Sequence, residues 1–271
     1  MTIDSRKVDC REHARTGFSL IELLVAIAII AILAGLILAA VTRSRASGQK
    51  TECISNQKQL VTTWAQYPVD RNDELVANWH WRVRGKRYVP WVTGVGHPNT
   101  SAMTDISFLM DEQFAAFAPY LKKPEIYKCP SNREKVEGTE AIRSYAMNQY
   151  MGCYSDRAFD TNYARFTTTA DIPEPTQYFV FADINQKFVC FPFMILDMQK
   201  DEWHHPPATA HNYGGTLSFA DGHVEYKRWL EDTTKGIAWH SSWNIGPHKT
   251  PVKAGDRDLA WIRERQTFRL N

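Results

Sequence analysis

Gly17-Phe18-Ser19-Leu20-Ile21-Glu22-Leu23-Leu24-Val25-Ala26-Ile27-Ala28-Ile29-Ile30-Ala31-Ile32-Leu33 decides how this chain is organised, and the apolar run that begins there continues to Val41 with one charge inside it, Glu22. Wound as a helix at roughly 1.5 Å per residue, Phe18 to Val41 reaches about 36 Å. That exceeds a bilayer core of about 30 Å, so the segment can span with some tilt. Residues 1–17 before it are polar, with Arg6, Lys7, Arg11 and Arg15 set against Asp4, Asp9 and Glu12. A secretory signal peptide has a shorter apolar core and a small-residue cleavage site behind it. Here Thr42-Arg43-Ser44-Arg45 follows instead. A plain anchor accounts for the length but not for Glu22, because a carboxylate in a membrane helix is costly and usually has an assigned partner. The basic residues on the two sides nearly balance, so charge alone does not orient the span.

Gly17 to Val25 resembles the cleavage and N-methylation motif of type IV prepilins and type II secretion pseudopilins. The resemblance implies a cut by prepilin peptidase between Gly17 and Phe18, and methylation of the new Phe18 amine. It also implies that Glu22 meets the N-terminal amine of a neighbouring subunit during assembly. Two opposite charges buried together are tolerable where one alone is not, so such a pair fixes register. Residues 1–17 are then a leader, 18–41 a transmembrane helix, 42–67 its amphipathic continuation and 68–271 an extracytoplasmic domain. The implied partners are other pilin-like subunits, the peptidase and membrane lipid. The implied location is the cytoplasmic (inner) membrane, crossed once.

The rest of the 271 residues is long enough to bury a core. With 32 basic and 30 acidic residues, the net charge of +2 offers no electrostatic reason to expect nucleic acid. Beyond the apolar run, Ile54, Leu60, Val61 and Trp64 recur at helical spacing until Pro68. Residues 105–121 read as a helix with Phe108, Leu109, Phe114, Phe117 and Leu121 on its apolar face. Residues 177–182 and 188–193 read as strands, 144–148 as a short segment of open type, and 258–269 as a charged helix. Thr216–Ala220 and His223–Lys227 alternate around Asp221-Gly222, which predicts a hairpin with a type I′ turn. The expected class is α+β: a long N-terminal helix packed on an antiparallel sheet, with loop-rich insertions over 71–125 and 150–175.

His211 and Asp221-Gly222 have nine residues between them, and the segment 211–224 resembles the prepilin-associated H-x9-DG segment of a large group of bacterial pilin-like proteins from planctomycetes, verrucomicrobia and their relatives. Cys53–Leu60, Cys129-Pro130-Ser131, Ser144–Asn148 and Phe181-Ala182-Asp183 agree with that group in islands. If 177–182 and 216–227 are neighbouring strands, Asp183, His211, Asp221 and His223 form a candidate site for a divalent metal. Oxygen-rich ligation there favours calcium, and imidazole ligation favours zinc or another transition metal. The blander reading is that Asp221 serves the turn and His211 a loop backbone. No cofactor is required by any motif. Once the leader and Cys10 are gone, Cys53, Cys129, Cys153 and Cys190 are disulfide candidates in three connectivities, or buried thiols.

No nucleophile elbow, zinc-protease helix or phosphate-binding glycine loop stands in the chain, so a structural subunit is expected rather than an enzyme. The first alternative is an anchored binding protein exported by the pilin route, with Trp79, Trp81 and Trp91 stacking on sugar rings. The second is an anchored metal-dependent enzyme.

Overall fold

The computed structural model describes residues 19–94, 100–155, 160–185, 187–237 and 249–270. The chain divides into two compact units, Met1–Arg45 and Ala46–Asn271. Helix α1, Leu20–Gln66, contributes to both. In the first unit its apolar side chains are exposed among the described residues: Leu20, Ile30, Ile32, Leu36 and Leu38 are all at least 64% exposed. No part of its most apolar window is buried by the chain itself, and its length and composition suffice to cross a membrane. The class is α+β, as the sequence predicts: one long N-terminal apolar helix followed by mainly antiparallel sheet.

In the second unit a five-stranded sheet carries the fold. Its strands are β1 (Tyr145–Asn148), β2 (Phe179–Asp183), β3 (Phe193–Met194), β4 (Gly214–Phe219) and β5 (Val224–Arg228). Their spatial order is β5-β4-β2-β1-β3, antiparallel except for the β1–β3 pair. Both faces are covered, which is why β1, β2 and β4 are buried at every residue. The period-2 pleat sorts the side chains. Tyr145, Met147 and Phe181 join Leu60, Val61 and Trp64 of α1 in one core. Ala146, Ala182, Leu217 and Phe219 join Trp203, Trp229 and Leu259 in a second core on the other face.

The buried face of α1 in this unit is Cys53, Asn56, Gln57, Leu60, Val61 and Trp64, a three- and four-residue repeat whose first half is polar. The amide nitrogens of Asn56 and Gln57 are bonded. Gln57 Nε2 donates to the backbone carbonyl and hydroxyl of Thr216 at 2.7 and 3.0 Å, and Asn56 Nδ2 donates to the carbonyls of Glu125 and Lys128. The helix passes through Gly48 without a break and gives way at Pro68 to a 3-10 turn, Tyr67–Asp70.

Several expected elements differ. Residues 105–121 hold the single turn Ser107–Met110, preceded by Ser101–Thr104, and no long helix. Asp105 and Asp111 each accept the backbone N–H two residues on, local bonds that compete with a helix ladder. Leu109, Phe117 and Leu121 are buried nonetheless. Of 188–193, strand pairing begins only at Phe193. The carbonyls of Cys190 and Phe191 are taken by the buried guanidinium of Arg143, and Pro192 has no N–H to give. The last helix, α2, is Arg257–Glu264, capped by the Asp256 carboxylate. It stops short of 269 because Phe268 and Leu270 bond back to Ala164 and Asn162. The turn at Asp221-Gly222 is not type I′: only Gly222 has positive φ (90°). Gly222 N–H reaches the Phe219 carbonyl and Phe219 N–H reaches that of His223, the three-residue loop with a glycine bulge.

Asn148 closes the sheet against the C-terminal segment. Its Nδ2 donates to the carbonyls of Phe179 (2.9 Å) and Gln266 (2.7 Å), and its Oδ1 accepts from Tyr150 N–H. Asn148→Ala leaves these buried groups unpaired and is expected to cost about 2–3 kcal/mol, read as a lower urea midpoint at unchanged slope. A midpoint equal to wild type would mean that water or a local shift replaces the amide.

Candidate functional site

Gly17 and Phe18 lie outside the described residues. Immediately after them, Ser19 precedes the first helical residue and Glu22 stands three positions on. The Glu22 carboxylate accepts the Ser19 N–H at 2.9 Å, and the Ser19 hydroxyl accepts the Ile21 N–H at 3.4 Å. This Ser-x-x-Glu pattern makes Glu22 part of a capping arrangement, and a negative charge in the first turn also suits the helix dipole. Glu22 therefore has a local role in its own chain in addition to any role between chains.

Of the four metal candidates, the fold gathers Asp183 and His211 but places Asp221 and His223 elsewhere. His211 stands just before β4 and Asp221 just after it, so the spacing between them is set by the length of that strand. Asp221 and His223 form a pair of their own: the carboxylate accepts the His223 N–H at 3.0 Å and meets its Nδ1 at 2.6 Å. Burial raises the Asp221 pKa, but these bonds outweigh it and hold the carboxyl below its usual value. The His223 ring lies flat on Phe219, with centroids 4.3 Å apart.

Asp183 and His211 instead meet two cysteines. The donor atoms of Cys53, Cys129, Asp183 and His211 all lie within 4.8 Å of one another, and all four residues are buried. Cys53 comes from α1, Cys129 from the turn after the short helix Pro124–Tyr127, Asp183 from the end of β2 and His211 from the turn before β4. Cys129 Sγ is 3.2 Å from His211 Nε2, and Cys53 Sγ is 3.7 Å from Asp183 Oδ2. Around them, the Tyr145 hydroxyl donates to Cys53 Sγ at 3.2 Å, and the Thr216 hydroxyl lies 3.1 Å from the same sulfur. Burial pushes the Asp183 carboxyl up to about 7 against the hydrogen bonds it accepts from Cys129, Ser144 and Cys53. Burial lowers the His211 pKa, assisted by the charge of Lys50. Contact with Cys53, then burial, then Asp183 raises the Cys129 thiol.

Among the described residues the four cysteines, Cys53, Cys129, Cys153 and Cys190, are free and buried. Cys190 lies against His205 Nε2 at 3.3 Å, and Cys153 faces the Ser155 carbonyl. Sequence reasoning reached Asp183 and His211 through the motif islands but kept the cysteines apart as disulfide candidates. The missing signal was that Cys53 falls on the same helical face as Leu60, Val61 and Trp64. A second group, Asp197, Glu202 and His204, is half-exposed, and its carboxylates are occupied by backbone N–H groups, Lys249 and His204 itself.

Of the tryptophans, Trp91 is fully buried, with its indole N–H on the Pro192 carbonyl, and presents no face for a sugar. Trp79 is half-buried against Phe191 and Phe193, and Trp81 bonds Asn78 through its indole N–H.

Residues 13–38 match the prokaryotic N-terminal methylation motif. The N-terminal segment is type IV pilin-like. That pilin-like segment contains Glu22 and most of the exposed apolar part of α1, so the motif and the helix suited to a membrane coincide. A motif of this kind implies processing by prepilin peptidase and assembly with other pilin subunits. No curated protein and no solved structure matches the chain.

Proposed function

We propose that this protein is a structural subunit, a pilin or pseudopilin, of an envelope-spanning filament or a type II secretion-like system. One observation carries the reading: the residues of the methylation motif open a helix whose apolar side chains the chain leaves bare. A helix that is hydrophobic all round needs lipid or other helices about it. Before assembly lipid supplies this, with Leu, Ile and Val each favouring the membrane by roughly 0.3–0.6 kcal/mol near the helix centre. In the filament, neighbouring copies of the same helix supply it. The peptidase cuts between Gly17 and Phe18 on the cytoplasmic side, Phe18 is N-methylated, and the unit from Ala46 onward stands outside the inner membrane.

N-terminal analysis of the protein extracted from membranes of its native host tests this directly. The mature chain is expected to begin at a methylated Phe18. A chain still beginning at Met1 rejects the pilin route and leaves an ordinary anchored protein.

A further inference from the structure

We propose that Cys53, Cys129, Asp183 and His211 bind one zinc-class divalent metal ion, which staples α1 to the sheet. Four ligating side chains from four separate elements converge without a neighbouring ion pair: among the described residues no Lys or Arg pairs with Asp183. A buried carboxylate without a counter-charge is costly, and it takes up either a proton or a cation. Tetrahedral zinc, with ligand bonds of roughly 2.0–2.3 Å, sets its donor atoms about 3.3–3.8 Å apart. The Cys129–His211 and Cys53–Asp183 separations, 3.2 and 3.7 Å, need only tenths of an ångström to fit.

The surroundings of Cys53 supply an independent argument. The Thr216 hydroxyl accepts from Gln57 Nε2 at 3.0 Å, and its own proton has the Cys53 sulfur within reach at 3.1 Å. Tyr145 donates to the same sulfur. Two hydroxyl donors converging on one buried sulfur suit a thiolate, the form that ligates metal. A Cys53–Cys129 disulfide uses the arrangement less well. It removes both S–H donors from Asp183 and leaves His211 Nε2 facing a neutral sulfur. Two sulfurs, one imidazole and one carboxylate select zinc over calcium, whose ligands are oxygens. His211 is the cluster member nearest solvent, lining an open pocket of about 370 Å³ with Lys50, Tyr226 and Arg228.

The test is metal analysis of the full chain, extracted in detergent without chelator under anaerobic conditions. About one zinc per chain is expected. Cys129→Ser and His211→Ala should each lower that at least tenfold, while Cys190→Ser, outside the cluster, keeps it. Stripping the wild-type protein with a chelator should lower its Tm by about 10 °C or more. Reloading it with Co²⁺ should give tetrahedral d–d absorption and a thiolate-to-cobalt charge-transfer band. The cobalt spectrum decides the matter if the variants fail to fold. Wild-type protein with no bound metal and no cobalt spectrum overturns the proposal, as does a Cys53–Cys129 disulfide found by peptide mapping.

Discussion

Trp91→Ala is expected to destabilise the unit from Ala46 onward by about 3–5 kcal/mol. The indole fills the junction between the long loops and the sheet. Its ring centroid is 4.8 Å from Phe181 of β2, and 6.1 Å from both Phe117 and Tyr127. Its N–H donates to the Pro192 carbonyl at 2.8 Å, just where β3 enters the sheet. Truncating a buried tryptophan to alanine costs roughly 3–5 kcal/mol through lost contacts and the residual cavity. The Pro192 carbonyl keeps the Met147 N–H at 2.9 Å, so losing the indole donor adds little to this. For a unit of this size the Tm should fall by about 6–20 °C, at roughly 2–4 °C per kcal/mol. Trp91→Phe keeps most of the apolar volume and loses the hydrogen bond, so about 1–2 kcal/mol is expected. A Trp91→Ala loss under about 1 kcal/mol by chemical denaturation would show that the loops pack independently of this ring.

Glu22→Ala should leave the protein processed and in the membrane yet reduce its recovery in assemblies by about 100-fold or more. Removing one partner from a buried ion pair costs roughly 3–5 kcal/mol, because the other charge is left uncompensated, and each 1.4 kcal/mol is about tenfold in an equilibrium. The bond from Ser19 N–H to Glu22 adds a second effect, since alanine also removes a helix cap worth about 1 kcal/mol. Glu22→Gln separates the two roles. Glutamine keeps a carbonyl oxygen for the Ser19 N–H but carries no charge. If the carboxylate is there to meet a neighbour's amine, Glu22→Gln chains should be as absent from assemblies as Glu22→Ala chains. Glutamine variants that assemble normally would reduce Glu22 to a local cap. Both variants should still be cut next to Gly17, which the N-terminal analysis checks on the same samples.

The long helix, the α+β class and the neighbouring strands around Asp221-Gly222 were legible in the residues. Each is written in local chemistry: an unbroken apolar run with a capping serine and glutamate, then period-2 alternation around a turn pair. The errors lie where local pattern met tertiary competition. The helical spacing of Phe108 to Leu121 was real as a burial pattern, for Leu109, Phe117 and Leu121 are buried. Asx bonds at Asp105 and Asp111 nevertheless took the backbone elsewhere. The 188–193 run is apolar like a strand, but the Arg143 guanidinium holds its carbonyls from a distance in sequence that no window spans.

By itself, then, the sequence determined the membrane-suited helix, the pilin-like start and the mixed class, because these depend on side chains adjacent in the chain. Only the tertiary structure decided that Asp183 and His211 belong with Cys53 and Cys129, and not with Asp221 and His223. The first four come from α1, a turn, the end of β2 and the start of β4, and they become neighbours only once the helix lies on the sheet. His211 and Asp221, nine residues apart in a motif, are held at opposite ends of an extended strand. An extended chain rises by about 3.3 Å per residue, so closeness in sequence kept that pair apart, while folding brought distant donors together.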